Sequence, residues 1–410
     1  EGLSVPPGFV LSVGFFEPWN AALQATPEWA AMQHDRGEAL VQSAQALQSL
    51  CHDLRFNREQ REEIDQALSA LKAAHPVRLF AVRSSSPEED LESASFAGGY
   101  ETTLGVPQEN LEAAIRHSFA SALDERVILY KRVHGFPTDH LRIAVIVQQQ
   151  VDAVSAGVAF SLNPLNNCYD EAVINANYGL GESVVAGEVE PDTFVVDKVE
   201  RKILDTQLGS KDLVITLDTG GGTARSPRAP GLDMCITPAQ ALEITELLER
   251  VEAVYQKPVD IEWAIAQEKL HLLQARPITT YLPLPEEMIT PPGSRKRLYA
   301  DSTLIEQGVQ EPMSVLGTEF LRYVLNTMTG PMGGSADSVD DGAFTAGGRY
   351  YMNLSQTLQI QGSVGGGLAP GSHGDESVMQ ILDSIDLDQY MPERRSLAQT
   401  IGMLKGPLKM

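Results

Sequence analysis

No run of apolar residues in this sequence approaches the roughly 18 to 20 that a bilayer span requires. The opening stretch, EGLSVPPGFVLSVGFF, puts no basic segment ahead of its apolar residues. A membrane partner and a secreted chain are therefore not expected, and the expected setting is cytoplasmic. Cysteine is scarce: Cys51, Cys168 and Cys235 are widely separated, match no zinc spacing and cannot all pair. That favours a reducing compartment with buried or inert thiols. Positive charge is in deficit as well. Against 55 Asp and Glu stand 31 Lys and Arg, a formal charge of −24 at pH 7. Such a field repels a phosphate backbone and argues against a nucleic-acid partner. Any anionic ligand must then be gripped by a few placed cations. None of the histidines, from His34 to His373, sits in a recognisable nucleophile or metal frame.

What is present is ordinary globular composition, 43% apolar and 21% charged, over 410 residues, long enough to expect two or more domains. The first residues are loop-like, VPPGF, and the last are GPLKM without a stop signal, so both ends read as fragment boundaries. Residues 37–74 carry apolar residues near helical spacing and predict two helices broken around Leu54-Arg55-Phe56-Asn57. RLFAVRSS (78–85) reads as a strand feeding a loop rich in Ser, acids and Gly. Residues 109–133 read as one long helix and LRIAVIVQQQV (141–151) as a β-branched strand.

AGVAFSL, EAVINANYG and TFVVDKV read as strands, and Thr237–Tyr255 begins with the Thr-Pro pattern of a helix start. Strands and helices mix without strict alternation, so the expected class is α+β. YLPLPEEMITPPGSRKR (281–297) has linker composition. It separates a first domain, 1–280 with an internal break near 150, from 298–410, a Met- and Gly-rich region expected to be mainly helical.

Several positions could carry chemistry. Arg83 closes an apolar strand, where a charge is costly unless it finds an anion. The nearby SFAGGYET, with Gly98 and Thr102, could bring backbone N–H groups to phosphate, although a plain turn explains a single Gly-Gly as well. Gln148-Gln149-Gln150 could form a hinge reading an adenine edge, but composition alone favours an edge strand meeting water. Gly179-Leu180-Gly181-Glu182 resembles half of a dinucleotide fingerprint, and Val184 breaks that frame.

DIEWAIAQEKLHLLQARPIT (260–279) reads as two strands around a turn at Gln267-Glu268-Lys269. Glu262 and Gln274 can face one another, with Arg276 on the side of Gln274 because the period is two. A carboxylate and an amide oxygen beside a cation form a hard oxygen site suited to Mg²⁺ and nucleotide phosphates. Spacing alone leaves an internal Glu262–Arg276 salt bridge equally open.

In order, VPPGF, AVRSSSPEEDLESASFAGGYET, VIVQQQV, AGVAFSLNP, NYGLGESVVAGEVEPD and DIEWAI…LLQARPIT resemble the nucleotide-binding domain of the pyruvate phosphate dikinase and phosphoenolpyruvate synthase superfamily, an ATP-grasp fold of two subdomains. Within it the rifampin phosphotransferases are the most similar branch. The resemblance implies ATP and Mg²⁺ as cofactors. It places Arg83 and Thr102 on phosphates with Gly98 over them, and Gln149, Gln150 and Val151 at the adenine hinge. Glu262 and Gln274 would bind Mg²⁺ and Arg276 the γ-phosphate, with Arg83 and Arg276 stabilising the transferred charge. The β-phosphate would pass to a histidine on a swivelling domain and then to an acceptor, leaving AMP and phosphate.

Departures from the family pattern are specific. The glycine-lysine segment that should precede VPPGF is not in this sequence, Gly99 replaces a usual Gln, and Gln150 stands where the rifampin enzymes have Met. No Thr-Ser-His-like segment occurs, so the phosphohistidine domain is expected beyond this chain. The long segment after Pro277 resembles the order of the rifampin enzymes, whose middle domain binds a small-molecule acceptor. Alternatives are a phosphoenolpyruvate synthase-like or biosynthetic enzyme of the superfamily, and a nucleotide-binding module without turnover.

Overall fold

Some helix starts along the first part of the chain are written in capping residues. The computed structural model describes residues 2–87, 90–91, 94–95, 101–229, 231, 233–281, 283–291, 293–301, 312–329, 336–356 and 387–390. After strand β1 (Gly8–Leu11) come helices α1 (Glu17–Gln24), α2 (Pro27–His34), α3 (Gly37–Cys51) and α4 (Arg58–Ala74). Thr26 caps α2 ahead of Pro27, and Asn57 with Gln60 forms a reciprocal capping box that starts α4. Such caps contribute about 1 kcal/mol each. The break between α3 and α4 falls where the pattern places it. Leu40, Ala44, Leu47 and Cys51 make one buried stripe on α3, and Ile64, Leu68 and Leu71 another on α4.

These stripes pack with a four-stranded antiparallel sheet of order β1-β6-β2-β5, built from β2 (Leu79–Ser85), β5 (Thr102–Pro107) and β6 (Ala144–Gln149) beside β1. The short strands β3 (Asp90–Leu91) and β4 (Ala94–Ser95) pair with each other. Phe16, Trp19, Phe56 and Phe119 knit the core, with Trp19 stacked on Phe56 at 4.8 Å between ring centroids. The single helix expected over 109–133 is two: α5 (Leu111–Ala120) and α6 (Glu125–Val133). Asp124 breaks it, because its carboxylate accepts the backbone N–H of Arg126 and restarts the helix as an N-cap.

A second sheet has six strands in the order β10-β9-β8-β7-β13-β14. Its strands are β7 (Ser155–Phe160), β8 (Glu171–Tyr178), β9 (Asp192–Asp197), β10 (Lys202–Gln207), β13 (Val259–Ala266) and β14 (Lys269–Pro277). A short helix, α7 (Glu182–Val185), follows β8. The longer helix α8 (Pro238–Tyr255) starts on a Thr237–Gln240 capping box and buries Ala241, Ile244, Leu248 and Val251 in a core that also holds Trp263. Gln267 and Glu268 both have positive φ, 51° and 60°, which fits the twist of the tight β13–β14 turn.

A separate antiparallel hairpin, β11 (Leu213–Leu217) with β12 (Thr223–Pro227), was not legible in the pattern. Its tip lies against β5, where Gly105 has φ +66° and an added Cβ would meet the Gly222 carbonyl oxygen at 2.4 Å. At the end of β8, Gly179 has φ +73° and meets the Ile215 carbonyl oxygen as closely, so both positions need glycine.

Contacts divide the chain into one unit of Glu1–Val196 with Lys202–Tyr281 and another of Asp197–Arg201 with Leu282–Met410. The described part of the second unit holds one long helix, α9 (Val315–Thr329), and a three-stranded antiparallel sheet of β15 (Tyr299–Asp301), β17 (Arg349–Asn353) and β16 (Ala343–Ala346). A sheet therefore stands beside the helical content expected there. The proline-rich stretch with linker composition contributes Met288 to this unit's core, with Phe344, Ala346 and Tyr351. The chain is α+β, as expected, and among the described residues no helix is long and apolar enough to cross a membrane.

Candidate functional site

Strand β2 leaves the core at its end: Phe80, Ala81 and Val82 are buried, and Arg83 is the next residue. Register places Arg83 beside Thr102 on β5 and Ile146 on β6. On β13 and β14, Glu262 lies opposite Gln274 and Asp260 opposite Arg276, so these four polar residues share one face. The register shifts between Glu262 and Trp263, leaving Leu273 as the extra residue of a bulge. Bulges re-aim side chains.

The two sheets meet at these residues. Arg83 Nη1 donates to Glu262 Oε2 and to Gln274 Oε1, both at 3.0 Å. Only 13% of the Arg83 side chain and 18% of that of Glu262 are exposed, so the pair is shielded from screening. Arg276 Nε donates to Asp260 Oδ1 at 2.8 Å. The Glu262–Arg276 bridge that spacing left open is thus replaced: Arg83 sits on Glu262, and Arg276 on Asp260.

A cleft of about 410 Å³ opens beside this cluster. Arg83, Thr102, Glu262, Gln274 and Arg276 line its polar part, while Leu104, Val151, Ala153, Ala156, Leu180 and Leu273 line an apolar part. Val151 and Gln150 both border it. Gln150 is held from both ends, its Oε1 accepting the Gly105 N–H at 3.2 Å and its Nε2 donating to the Val151 carbonyl at 3.0 Å. Gln149 is not brought to the cleft lining; it pairs with Phe80, and its N–H donates to the Pro7 carbonyl at 2.8 Å. Gly98 lies outside the described residues.

Residue-level reading passed over Glu182, which borders the cleft at the first turn of α7. Its neighbour Gly181 lies over Ala156 and Gly157, where an added Cβ would stand 3.5 Å from the Ala156 side chain. The tight GLGE turn was the available signal, but the frame tested for it was the wrong one.

Further along β14, His271 is held below the ordinary imidazole range by burial and, less, by the charge of Lys269. It therefore adds no cation near neutral pH. Cys235 is pushed well above the ordinary thiol range by burial first and by Asp192, and Cys51 by burial to about 12, so neither offers a nucleophile.

Among the described residues no cluster of three or more His, Cys, Asp and Glu side chains could hold a metal by itself. Glu262 and Gln274 still suit a hard cation, because one cationic nitrogen already fits between their two oxygens. The remaining ligands would come from phosphate and water, as Mg²⁺ prefers. A larger cavity, about 670 Å³, lies in the second unit. Among the cations on its wall, Arg297 is paired with Asp340 at 2.9 Å and Lys296 with Asp197 at 2.6 Å.

Residues 1–290 match the family described as pyruvate phosphate dikinase, AMP/ATP-binding domain. The rifampicin phosphotransferase of Streptomyces sviceus is 29% identical over 406 residues, covering 96% of this chain and 43% of that protein. The probable phosphoenolpyruvate synthase of Methanocaldococcus jannaschii is 33% identical over 288 residues, 68% of this chain and 24% of that protein. An uncharacterised phosphotransferase of Bacillus subtilis is 32% identical over 330 residues, 78% of this chain and 37% of that protein. The chain spans less than half the length of each of these relatives.

Proposed function

The chain belongs to the pyruvate phosphate dikinase AMP/ATP-binding domain family, and from that premise we propose that residues 1–280 form an ATP-grasp domain, with its subdomain break near 150, that binds Mg-ATP for a dikinase. The observation that carries this reading is the facing Glu262–Gln274 pair, joined by Arg83 from the other sheet, at the wall of a half-apolar cleft.

Polarity along the hairpin gives the ligand a direction. Asp260 with Arg276 and Glu262 with Gln274 occupy successive cross-strand positions, and Ala264 follows on the same face. Each step of two residues advances about 7 Å. A nucleotide laid along this face puts its base among Val151, Ala153, Leu180 and Ala264, and its phosphates at Glu262, Gln274 and Arg276. Glu182, which borders the cleft next to Gly181, would fall beside the intervening sugar and suits its hydroxyl donors.

Bound Mg²⁺, held by Glu262 and Gln274, would supply charge neutralisation on the phosphates. Arg83 and Arg276 bind and orient phosphate oxygens, and their fixed positive charge favours the charge that develops in phosphoryl transfer. Thr102, beside Arg83, offers a further hydrogen bond. Leu104, Leu180 and Leu273 exclude water from the base end.

The β-phosphate would pass to a histidine on a further domain, forming a phosphohistidine, and from there to an acceptor, while water takes the γ-phosphate, so that AMP, phosphate and the phosphorylated acceptor result. Residues 298–410 are read as the beginning of an acceptor-binding domain joined by 281–297. A rifamycin-like acceptor is favoured because likeness to the Streptomyces sviceus enzyme covers 96% of the chain, whereas that to the Methanocaldococcus jannaschii protein covers 68%. The cytoplasm is the setting proposed. A phosphoenolpyruvate synthase-like or biosynthetic acceptor is the second reading, and a nucleotide-binding module without turnover the third.

Calorimetry of the protein with Mg-ATP, followed by AMP analysis of the full-length enzyme with a rifamycin or pyruvate, tests the three readings. Absence of Mg-ATP binding sinks all of them. Binding without AMP formation from any acceptor leaves the module.

A further inference from the structure

Arg83 makes an unusual contact for a phosphate ligand. One nitrogen, Nη1, is shared at 3.0 Å by Glu262 Oε2 and Gln274 Oε1, the two oxygens that would ligate the metal. A guanidinium NH₂ carries two protons, so each oxygen accepts one. Its nitrogen thereby occupies the space between the oxygens that a divalent cation at roughly 2.1 Å from each would require. The two cations cannot share it, since like charges so close in a shielded site repel strongly.

A second observation concerns the other edge of the same group. Arg83 Nε is buried and has no hydrogen-bond partner among the described residues. An unsatisfied buried donor is costly, and an incoming anionic oxygen would relieve it. Charge balance points the same way. Glu262 and Arg83 neutralise one another, and Gln274 is uncharged, so a bare divalent ion would add positive charge to a site already balanced. A nucleoside polyphosphate brings the anion that releases Arg83 and leaves both oxygens to the metal.

Building on the Mg-ATP reading, we infer that Arg83 is a stand-in cation which holds the divalent site in the nucleotide-free protein. Free metal is thereby excluded and enters together with nucleotide, as Arg83 transfers from Glu262 and Gln274 to phosphate. Arg83 also joins the two sheets through this contact, so the exchange couples metal entry to the fit of the sheets around the ligand.

The test uses Mn²⁺ as the probe: without ATP the free ion is measured by electron paramagnetic resonance, and with ATP the protein-bound Mn²⁺ is measured by equilibrium dialysis across a membrane that passes Mn-ATP. The parent is expected to take up Mn²⁺ poorly alone and well with ATP. Arg83→Ala and Arg83→Met, the latter keeping the packing of the stem, are expected to bind Mn²⁺ without nucleotide about tenfold or more tightly than the parent. Adding Glu262→Ala should remove that gain, and Arg83→Lys should keep the exclusion. Parent protein that binds Mn²⁺ alone as tightly as the Arg83 variants overturns the inference, and so does a gain that survives Glu262→Ala. If the Glu262-dependent gain is present while ATP promotes no Mn²⁺ uptake by the parent, the stand-in is upheld and the nucleotide reading falls.

Discussion

Gly222 donates its backbone N–H to the carbonyl of Gly105, 2.7 Å away, tying the tip of the β11–β12 hairpin to β5. The Gly105 N–H in turn donates to the side chain of Gln150, which borders the cleft. A chain of hydrogen bonds therefore runs from a surface hairpin to the wall of the proposed nucleotide site.

Substitution of Gly105 by Ala is expected to break this arrangement. The position has φ +66°, and the new Cβ would stand 2.4 Å from the Gly222 carbonyl oxygen, a backbone atom that cannot rotate away. Left-handed strain with a backbone clash should cost about 2 kcal/mol or more. Urea unfolding gives the stability loss, and calorimetry at a temperature where the variant is folded should show weakened ATP binding through the displaced Gln150. Unchanged stability would contradict the close approach.

Glu262→Ala and Gln274→Ala should each weaken Mg-ATP binding on the order of 100-fold, while ATP with excess chelator is affected far less. Asp260→Ala frees Arg276 from a partner at 2.8 Å and is expected to alter ATP affinity with or without metal. Isothermal titration of the three variants under both conditions checks this. Equal losses in chelator would show that Glu262 and Gln274 act only through Arg83.

Glu182→Ala tests the sugar end. The parent should prefer ATP over 2′,3′-dideoxy-ATP by about tenfold, the difference of one or two hydrogen bonds to a charged acceptor. Removing the carboxylate should erase that preference and leave the deoxy analogue's affinity nearly unchanged. A preference retained by the variant would place the sugar elsewhere.

Much of this geometry was readable before any fold was known. Thr237-Pro238 and Asn57 start helices because their side chains satisfy orphan N–H groups, a purely local matter. Strand period makes Glu262, Gln274 and Arg276 a readable polar set, but strict pairing from the two-residue turn would put Leu273 opposite Glu262, and it is the bulge at Leu273 that brings Gln274 there. The break at Asp124 was missed because one side-chain hydrogen bond outweighed a helical pattern on both sides. The β11–β12 hairpin was missed because its strands are short and half exposed. Arg83 meets Glu262 across 179 positions of sequence, and no local pattern encodes such a contact. The resemblance placed Gln149 at the site, yet its backbone is spent on Pro7 and Phe80 at the sheet, away from the cleft lining.

His271 gives a pH dependence with a definite sign. Burial, helped by Lys269, holds its folded-state pKa below the ordinary 6.5, so the native protein takes up this proton less readily than the unfolded chain. The stability it contributes is present above about pH 6.5 and is lost as pH falls through the folded-state pKa, because protons then favour the unfolded state. His271 lies opposite Ala264 on the hairpin that carries Gln274, and its Nδ1 is 3.4 Å from the Ser4 hydroxyl. Thermal melts from pH 8 to pH 5 should therefore show a steeper fall for the parent than for His271→Gln, which cannot titrate. Since the hairpin supports the proposed metal ligands, Mg-ATP affinity should weaken over the same window in the parent and more gently in the variant. Parallel pH profiles for the two proteins would place the titration elsewhere.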